Sequence, residues 1–206
     1  MVLIIKLAVL GSTKGSTLQY IIDAIEQEEL DASIEVVISN KENPYILERA
    51  RKYGIEAIYL QQLGKTRKEF DIEVMKILER KGIELVLLIG YMRYLSTEFV
   101  EKWRYKIMNV HPSLLPKFAG GMDLNVHKAV IDAGEKESGM TIHFVDEGPD
   151  TGPIILQKSC TIEPDDTPET LKQKIQLLEG EGFIEAIKFF QDGKIKVEKN
   201  KVIINE

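Results

Sequence analysis

Cysteine is almost absent from this chain: one residue, Cys160, in 206. A lone thiol makes no internal disulfide, which excludes a disulfide-stapled scaffold and fits a reducing cytoplasm. Histidine is scarce as well. His111, His127 and His143 lack the close pairing with Cys or His that marks a zinc site, so a metal-free site is expected. Positive charge is in deficit, with 27 Lys and Arg against 33 Asp and Glu and a formal net charge of −6. Nucleic-acid binding needs a basic face, so that class of partner is not expected. No apolar run is long enough to span a bilayer. The N-terminal one, MVLIIKLAVLGST, is interrupted by Lys6 and has no small-residue cleavage site. It reads as a buried strand rather than a signal peptide. Internal repeats, low-complexity stretches and linkers are missing too, so residues 1–206 are expected to form a single domain, 44% hydrophobic and able to bury a sizeable core.

What is present is a rhythm. Apolar stretches at Ile4–Leu10, Ile34–Ile38, Ala57–Leu60 and Leu85–Ile89 predict strands, the last buried on both faces. Between them, Leu18–Ile22, Pro44–Tyr53 and Arg67–Lys81 carry apolar residues at helical spacing, with Phe70, Ile72, Met75 and Leu78 facing inward in the third. This alternation predicts an α/β fold: a Rossmann-like open, mostly parallel sheet with helices on both sides. Beyond Gly90 come a short strand at Lys106–Met108, a helix at Leu124–Asp132, and two strands in TIHFVDEG and GPIILQKSCTI. A long C-terminal helix follows at Thr167–Gln191, with Pro168 at its first position, and then a short β-hairpin turning near Asn200-Lys201.

Three stretches can carry chemistry. LGSTKGSTLQ, Leu10–Gln19, feeds a strand through a glycine-containing turn into a helix, where free N–H groups and the positive helix end favour phosphate. Gly11 and Gly15 would let the backbone approach the anion, Ser16 and Thr17 offer hydroxyls, and Lys14 a charge. The spacing matches neither the dinucleotide fingerprint nor the P-loop, so a single phosphate is the ligand expected. NVHPSLLP, Asn109–Pro116, delivers an amide and an imidazole to the rim where ligands of open α/β sheets collect, close to Tyr91–Leu95. Asn109 can donate to an oxyanion, and His111 can donate, accept, or stay charged beside a carboxylate. Pro112 and Pro116 restrict that loop. In HFVDEGPDTGP, Asp150 occupies a stiff Gly- and Pro-rich turn from which a carboxylate can be aimed. Asp146 and Glu147 read as solvated turn residues, His143 as a structural partner, His127 as surface or packing, and Cys160 as a buried strand residue.

These stretches, in this order and over essentially the whole chain, resemble the glycinamide ribonucleotide formyltransferase family, folate-dependent enzymes of purine synthesis. GSTKGSTLQ, SNKENPYILERA, GYMRYLS, NVHPSLLPKF, HFVDEGPDTGPIILQ and LLEGEGF carry the likeness, and N-x-HPSLLP with a downstream D-x-GP is specific to folate formyl transfer. The resemblance implies the formyltransferase fold and transfer of a formyl group from 10-formyltetrahydrofolate, the co-substrate, to the amine of glycinamide ribonucleotide. It implies Asn109, His111 and Asp150 as the catalytic trio. Gly15, Ser16 and Thr17 fall on the substrate-phosphate loop, Arg67 on a substrate-contacting basic residue, and Glu179 on the acid that holds the ribose hydroxyls. Met92, Arg93 and Leu95 fall where the pterin is bound, largely through main-chain groups. Small-molecule substrates, no nucleic acid, no membrane and a cytoplasmic location are expected, and a homodimer is compatible with the family. The chain departs from it at Thr17, where many relatives have Asn, at Lys14, and in a longer loop, FAGGMDLNVHKAV. Alternatives are a formyltetrahydrofolate hydrolase, which has no use for a phosphate loop, and a non-catalytic folate or nucleotide binder, which has no use for the trio. A methionyl-tRNA formyltransferase would need a basic surface and a nucleic-acid-binding domain.

Overall fold

A computed structural model of the chain describes residues 3–121 and 124–205. The elements run β1 (Ile5–Gly11), α1 (Ser16–Glu26), β2 (Ala32–Ser39), α2 (Tyr45–Lys52), β3 (Ala57–Tyr59), α3 (Arg67–Lys81), β4 (Leu85–Ile89) and α4 (Thr97–Lys102). Then come β5 (Ile107–His111), α5 (Leu124–Asp132), β6 (Glu137–Phe144), β7 (Ile154–Thr161), α6 (Pro168–Gln191), β8 (Ile195–Glu198) and β9 (Lys201–Ile204). Seven strands form a mostly parallel sheet in the order β3-β2-β1-β4-β5-β6-β7, and β8 with β9 forms a separate hairpin. The open α/β sheet, long C-terminal helix and short hairpin expected from the sequence are all there. Among the described residues, no helix is long and apolar enough to cross a membrane. The chain divides into two compact units, Met1–Asn109 and Val110–Glu206.

In the first unit, β1 pairs in parallel with β2 and with β4. Every residue of β4 is buried, as a strand covered on both faces requires. The ends of β1 and β4 lie side by side, with Gly11 opposite Ile89 and Ser12 N donating to Gly90 O at 3.1 Å. The loops after these two strands therefore start from one place. Helix α3 opens with a capping box, Thr66 and Glu69 bonding each other's main chain, and closes on Gly82 in the left-handed region. Its inward face differs from the expected one: Ile72 is only half-buried, whereas Asp71 is fully buried.

β5 also corrects an expectation. It continues to His111 instead of stopping at Met108, with Leu88 of β4 opposite Asn109. Asn109 and His111 are therefore strand residues, two apart, and share one face of the strand. The polar composition of Asn-Val-His hid the strand, because periodicity methods follow apolar residues.

In the second unit, β6 and β7 pair antiparallel, with a register shift after Ile142 that leaves Ile155 extra on β7. Such bulges bend a strand and re-aim its side chains. Helix α6 is capped by Thr167 and buries Leu171, Ile175, Phe183, Ala186 and Ile187. The final hairpin turns at Lys199 and Asn200, both at positive φ, one residue earlier than expected, because Lys201 already belongs to β9. Cys160 is half-buried rather than buried, since its face of β7, shared with Leu156 and Lys158, is only partly covered, and the other face is open at Gln157, Ser159 and Thr161. His127 is buried, at 2% exposure, and so is a packing rather than a surface residue of α5. Part of the longer loop, Met122 and Asp123, lies outside the described residues.

Candidate active site

The second unit gathers a carboxylate and two imidazoles. Asp150 sits at φ 55, a left-handed conformation that Asp and Asn tolerate better than other side chains. From there its Oδ2 approaches His111 Nδ1 at 3.2 Å and its Oδ1 approaches His143 Nε2 at 3.5 Å. Gly120 N–H donates to Oδ2 at 2.9 Å. Both histidines are buried at 3% side-chain exposure, and Asp150 is only 16% exposed. Burial alone would push the Asp150 carboxyl pKa upward. Hydrogen bonds from His111, His143 and the Gly120 amide outweigh it and hold the group well below the ordinary carboxylate range.

The other nitrogen of each ring also meets an acceptor. His111 Nε2 lies 2.9 Å from Phe118 O, and His143 Nδ1 lies 2.8 Å from Phe144 O. For His111, the ring protonated on both nitrogens donates to both acceptors, Asp150 and Phe118; either neutral tautomer leaves one of them unserved. The loop that supplies Phe118 is itself pinned. Ser113 Oγ donates to Lys117 O at 2.7 Å, Leu115 N donates to Thr141 Oγ1 at 3.0 Å, and Gln157 Nε2 donates to Leu115 O at 3.0 Å.

The turn that aims Asp150 is equally constrained. Asp146 Oδ1, expected to be solvated, accepts from Gly148 N at 3.1 Å and from Thr151 Oγ1 at 2.7 Å, so it braces the turn. A Cβ on Gly152 would stand 1.8 Å from the main-chain oxygen of Phe144, and that oxygen cannot yield without moving β6. Gly152→Ala is expected to lower Tm by roughly 2–10 °C, from an overpacking cost of ~1–3 kcal/mol in a domain of this size. A thermal melt checks it, and an unchanged Tm would mean that the turn relaxes freely.

The first unit holds the remaining sequence-predicted residues up to Leu95. Gly15 caps α1 at φ 65 with no side-chain hydrogen bond at that end, an arrangement that suits an anion at the first turn. The glycines, however, answer mainly to packing. A Cβ on Gly11 would lie 2.3 Å from Ile46 Cδ1, and one on Gly15 would lie 2.4 Å from Ile46 Cγ1. Lys14 is exposed, Ser16 half-buried, and the Thr17 side chain buried.

Beside this loop runs a polar chain. Ser12 Oγ donates to Asn40 Oδ1 at 2.5 Å, Asn40 Nδ2 donates to Gln62 Oε1 at 3.1 Å, and Arg93 Nη1 donates to the same Gln62 oxygen. Met92 N donates to Ser12 Oγ at 3.2 Å. The phosphate-type loop and the segment Met92–Leu95 are thus physically linked. Arg67 and Arg93 join Lys65 and Tyr94 in lining an open recess of about 310 Å³. Glu179 is half-buried on α6, in the second unit.

His143, read from the sequence as structural, holds the second oxygen of Asp150; its place on an inward strand beside the Asp150 turn was the available signal.

The fold is an open, mostly parallel α/β sheet, and the chain belongs to the formyl transferase family, whose model matches residues 5–187. It is 38% identical to the phosphoribosylglycinamide formyltransferase of Haemophilus influenzae, over 95% of this chain and 91% of that relative. It is 44% identical, over 93% of its length, to the trifunctional purine biosynthetic protein adenosine-3 of Drosophila pseudoobscura pseudoobscura. The chain spans only 14–19% of the length of such trifunctional relatives. Among solved structures, glycinamide ribonucleotide transformylase 1 from Symbiobacterium toebii matches with a TM-score of 0.93 at 35% identity, covering 98% of this chain and 95% of that one.

Proposed function

We propose that this chain transfers the formyl group of 10-formyltetrahydrofolate to the amine of glycinamide ribonucleotide, a step of purine synthesis. The observation that carries the reading is the buried contact of His111 with Asp150 at 3.2 Å, inside the motif pair that the sequence singled out. The names of the full-length relatives point to the same acceptor. The family match runs through the boundary between the two units, which supports reading residues 1–206 as one formyltransferase domain. A cytoplasmic location agrees with the single free thiol.

In this reaction the acceptor nitrogen attacks the formyl carbon, giving a tetrahedral intermediate with a negative oxygen and a cationic nitrogen. The nitrogen loses a proton, the bond to the folate N10 breaks, and N10 gains a proton. Asn109 and His111, on one face of β5, are the donors for the oxyanion. His111 would exchange the Phe118 carbonyl for that oxygen, as catalytic hydrogen bonds often form only in the complex. Asp150 could hold and charge the His111 imidazole, or accept the amine proton. A carboxylate held so far below its ordinary range is a weak proton acceptor at neutral pH, so fixing and charging His111 is the role we assign it. The amine proton would leave through water.

Gly15–Thr17 would take the acceptor's phosphate at the α1 end, with Glu179 on its ribose hydroxyls. The main chain of Met92–Leu95 would take the pterin, and the basic recess at Arg67 and Arg93 suits a carboxylate or phosphate of either ligand. The test is consumption of 10-formyltetrahydrofolate with and without glycinamide ribonucleotide. Turnover that depends on the acceptor is expected. Equal formate release with and without it would identify a hydrolase and overturn the reading.

A further inference from the structure

Asp71 is a carboxylate with no exposure at all, on the inner face of α3. Its Oδ2 accepts from Ser96 N at 2.5 Å, while its Oδ1 has no hydrogen-bond partner among the described residues. A buried, half-satisfied acid burdens a fold. Burial pushes its pKa up, against the Ser96 hydrogen bonds and the charges of Arg93 and Arg67. A carboxyl whose folded pKa is raised favours folding at pH below its unfolded value, and that benefit is lost as pH rises. At neutral pH the ionised group is therefore a cost, and stability does not explain an acid here.

Its neighbours do. Asp71 bonds the segment Gly90–Ser96 at its far end and acts on its near end through charge. Ser96 is the N-cap of α4, and the Tyr91 hydroxyl has its pKa raised by burial and then by the Asp71 charge. In the middle, the Arg93 guanidinium lies 4.3 Å over the ring of Phe70, the preceding residue of α3, and bonds Gln62. Two guanidiniums, Arg67 and Arg93, share one recess with Lys65. Like charges repel, and the buried Asp71 carboxylate, whose charge acts on both guanidiniums, offsets that repulsion without being part of the recess lining.

We propose that Asp71 is a positioning residue for the formyl donor: its buried carboxylate, bonded to Ser96 N, fixes the segment Gly90–Ser96 in the conformation that binds the folate. The inference rests on reading Met92–Leu95 as the donor-binding segment. It acts before chemistry, by preorganising the bound geometry, so its signature is in binding rather than turnover.

The test is Asp71→Asn, which keeps the shape and an acceptor for Ser96 N–H but removes the charge. Steady-state kinetics with both substrates, equilibrium dialysis of tetrahydrofolate and a thermal melt are measured on the whole chain. The KM for 10-formyltetrahydrofolate and the Kd for tetrahydrofolate are expected to rise on the order of tenfold, the scale of one hydrogen bond or pairing with a charged group. The kcat should hold, and the Tm should hold or increase. Unchanged folate binding, or a loss confined to kcat and Tm, would overturn the proposal and leave the formyl-transfer reading intact. A wild-type chain that binds no tetrahydrofolate would sink both. If the Asn variant is isolated unfolded, Ser96→Ala removes the hydroxyl at the same carboxylate. A raised donor KM at constant kcat then supports the proposal, and an unchanged donor KM overturns it.

Discussion

Asp150→Asn is expected to lower kcat/KM for formyl transfer by roughly 10²–10⁴, the upper end being the loss seen when a carboxylate that orients and charges a catalytic imidazole becomes an amide. The substitution isolates charge from shape. Asn tolerates the positive φ of 55 found at this position, and its oxygen can still accept from Gly120 N–H, which now reaches Oδ2 at 2.9 Å. What it loses is the negative charge against which His111 is held at 3.2 Å. Stability should follow its own rule. Because the Asp150 pKa is depressed in the folded state, its ionised form stabilises the fold above the unfolded value of about 3.9, and that contribution fades as pH falls through the folded value. The melting difference between wild type and variant should therefore be greatest near neutral pH and shrink in acid. Near-normal turnover in the variant would remove Asp150 from the mechanism.

His111→Ala carries the second large effect. Loss of one preorganised oxyanion donor typically costs ~10²–10³ in kcat, and the same is expected here, with KM for both ligands changing little. The folded state should suffer too, since the change strips a half-buried carboxylate of its nearer imidazole partner, and a charge left without its pair is costly. A lowered Tm together with a lowered kcat is thus the expected pair of results, whereas a lowered Tm with full kcat would leave His111 a structural residue. Catalysis and stability are linked at this position because Asp150 answers to His111, His143 and the Gly120 amide at once.

The fold was legible wherever burial is written in apolar residues. Leu85–Ile89, buried throughout, and the Thr167-Pro168 start of α6 were readable without a structure, because one depends on hydrophobic runs and the other on capping chemistry. Legibility failed where a polar residue is buried. Asn109 and His111 extend β5 although nothing apolar marks the extension. Asp71 and His127 lie inside the fold at 0% and 2% exposure, held by tertiary contacts that no local pattern encodes. At the site, the pairing of His111 with Asp150 could be anticipated from motif chemistry, but the second imidazole, His143, depends on a β-bulge after Ile142 that only the strand register reveals. Gly11 and Gly15 were read as room for an anion; they are also where Ile46 packs, a constraint set by a helix some thirty residues downstream.

In the proposed mechanism His111 and Asp150 work as one unit, and the kinetics of the double variant test that most directly. Residues in contact give non-additive effects, whereas independent sites multiply. In acceptor-dependent assays, adding Asp150→Asn to a His111→Ala background is predicted to cost less than about tenfold, far below its cost in the wild type. If the full single-variant losses multiply instead, the two side chains act separately and the proposed mechanism is wrong.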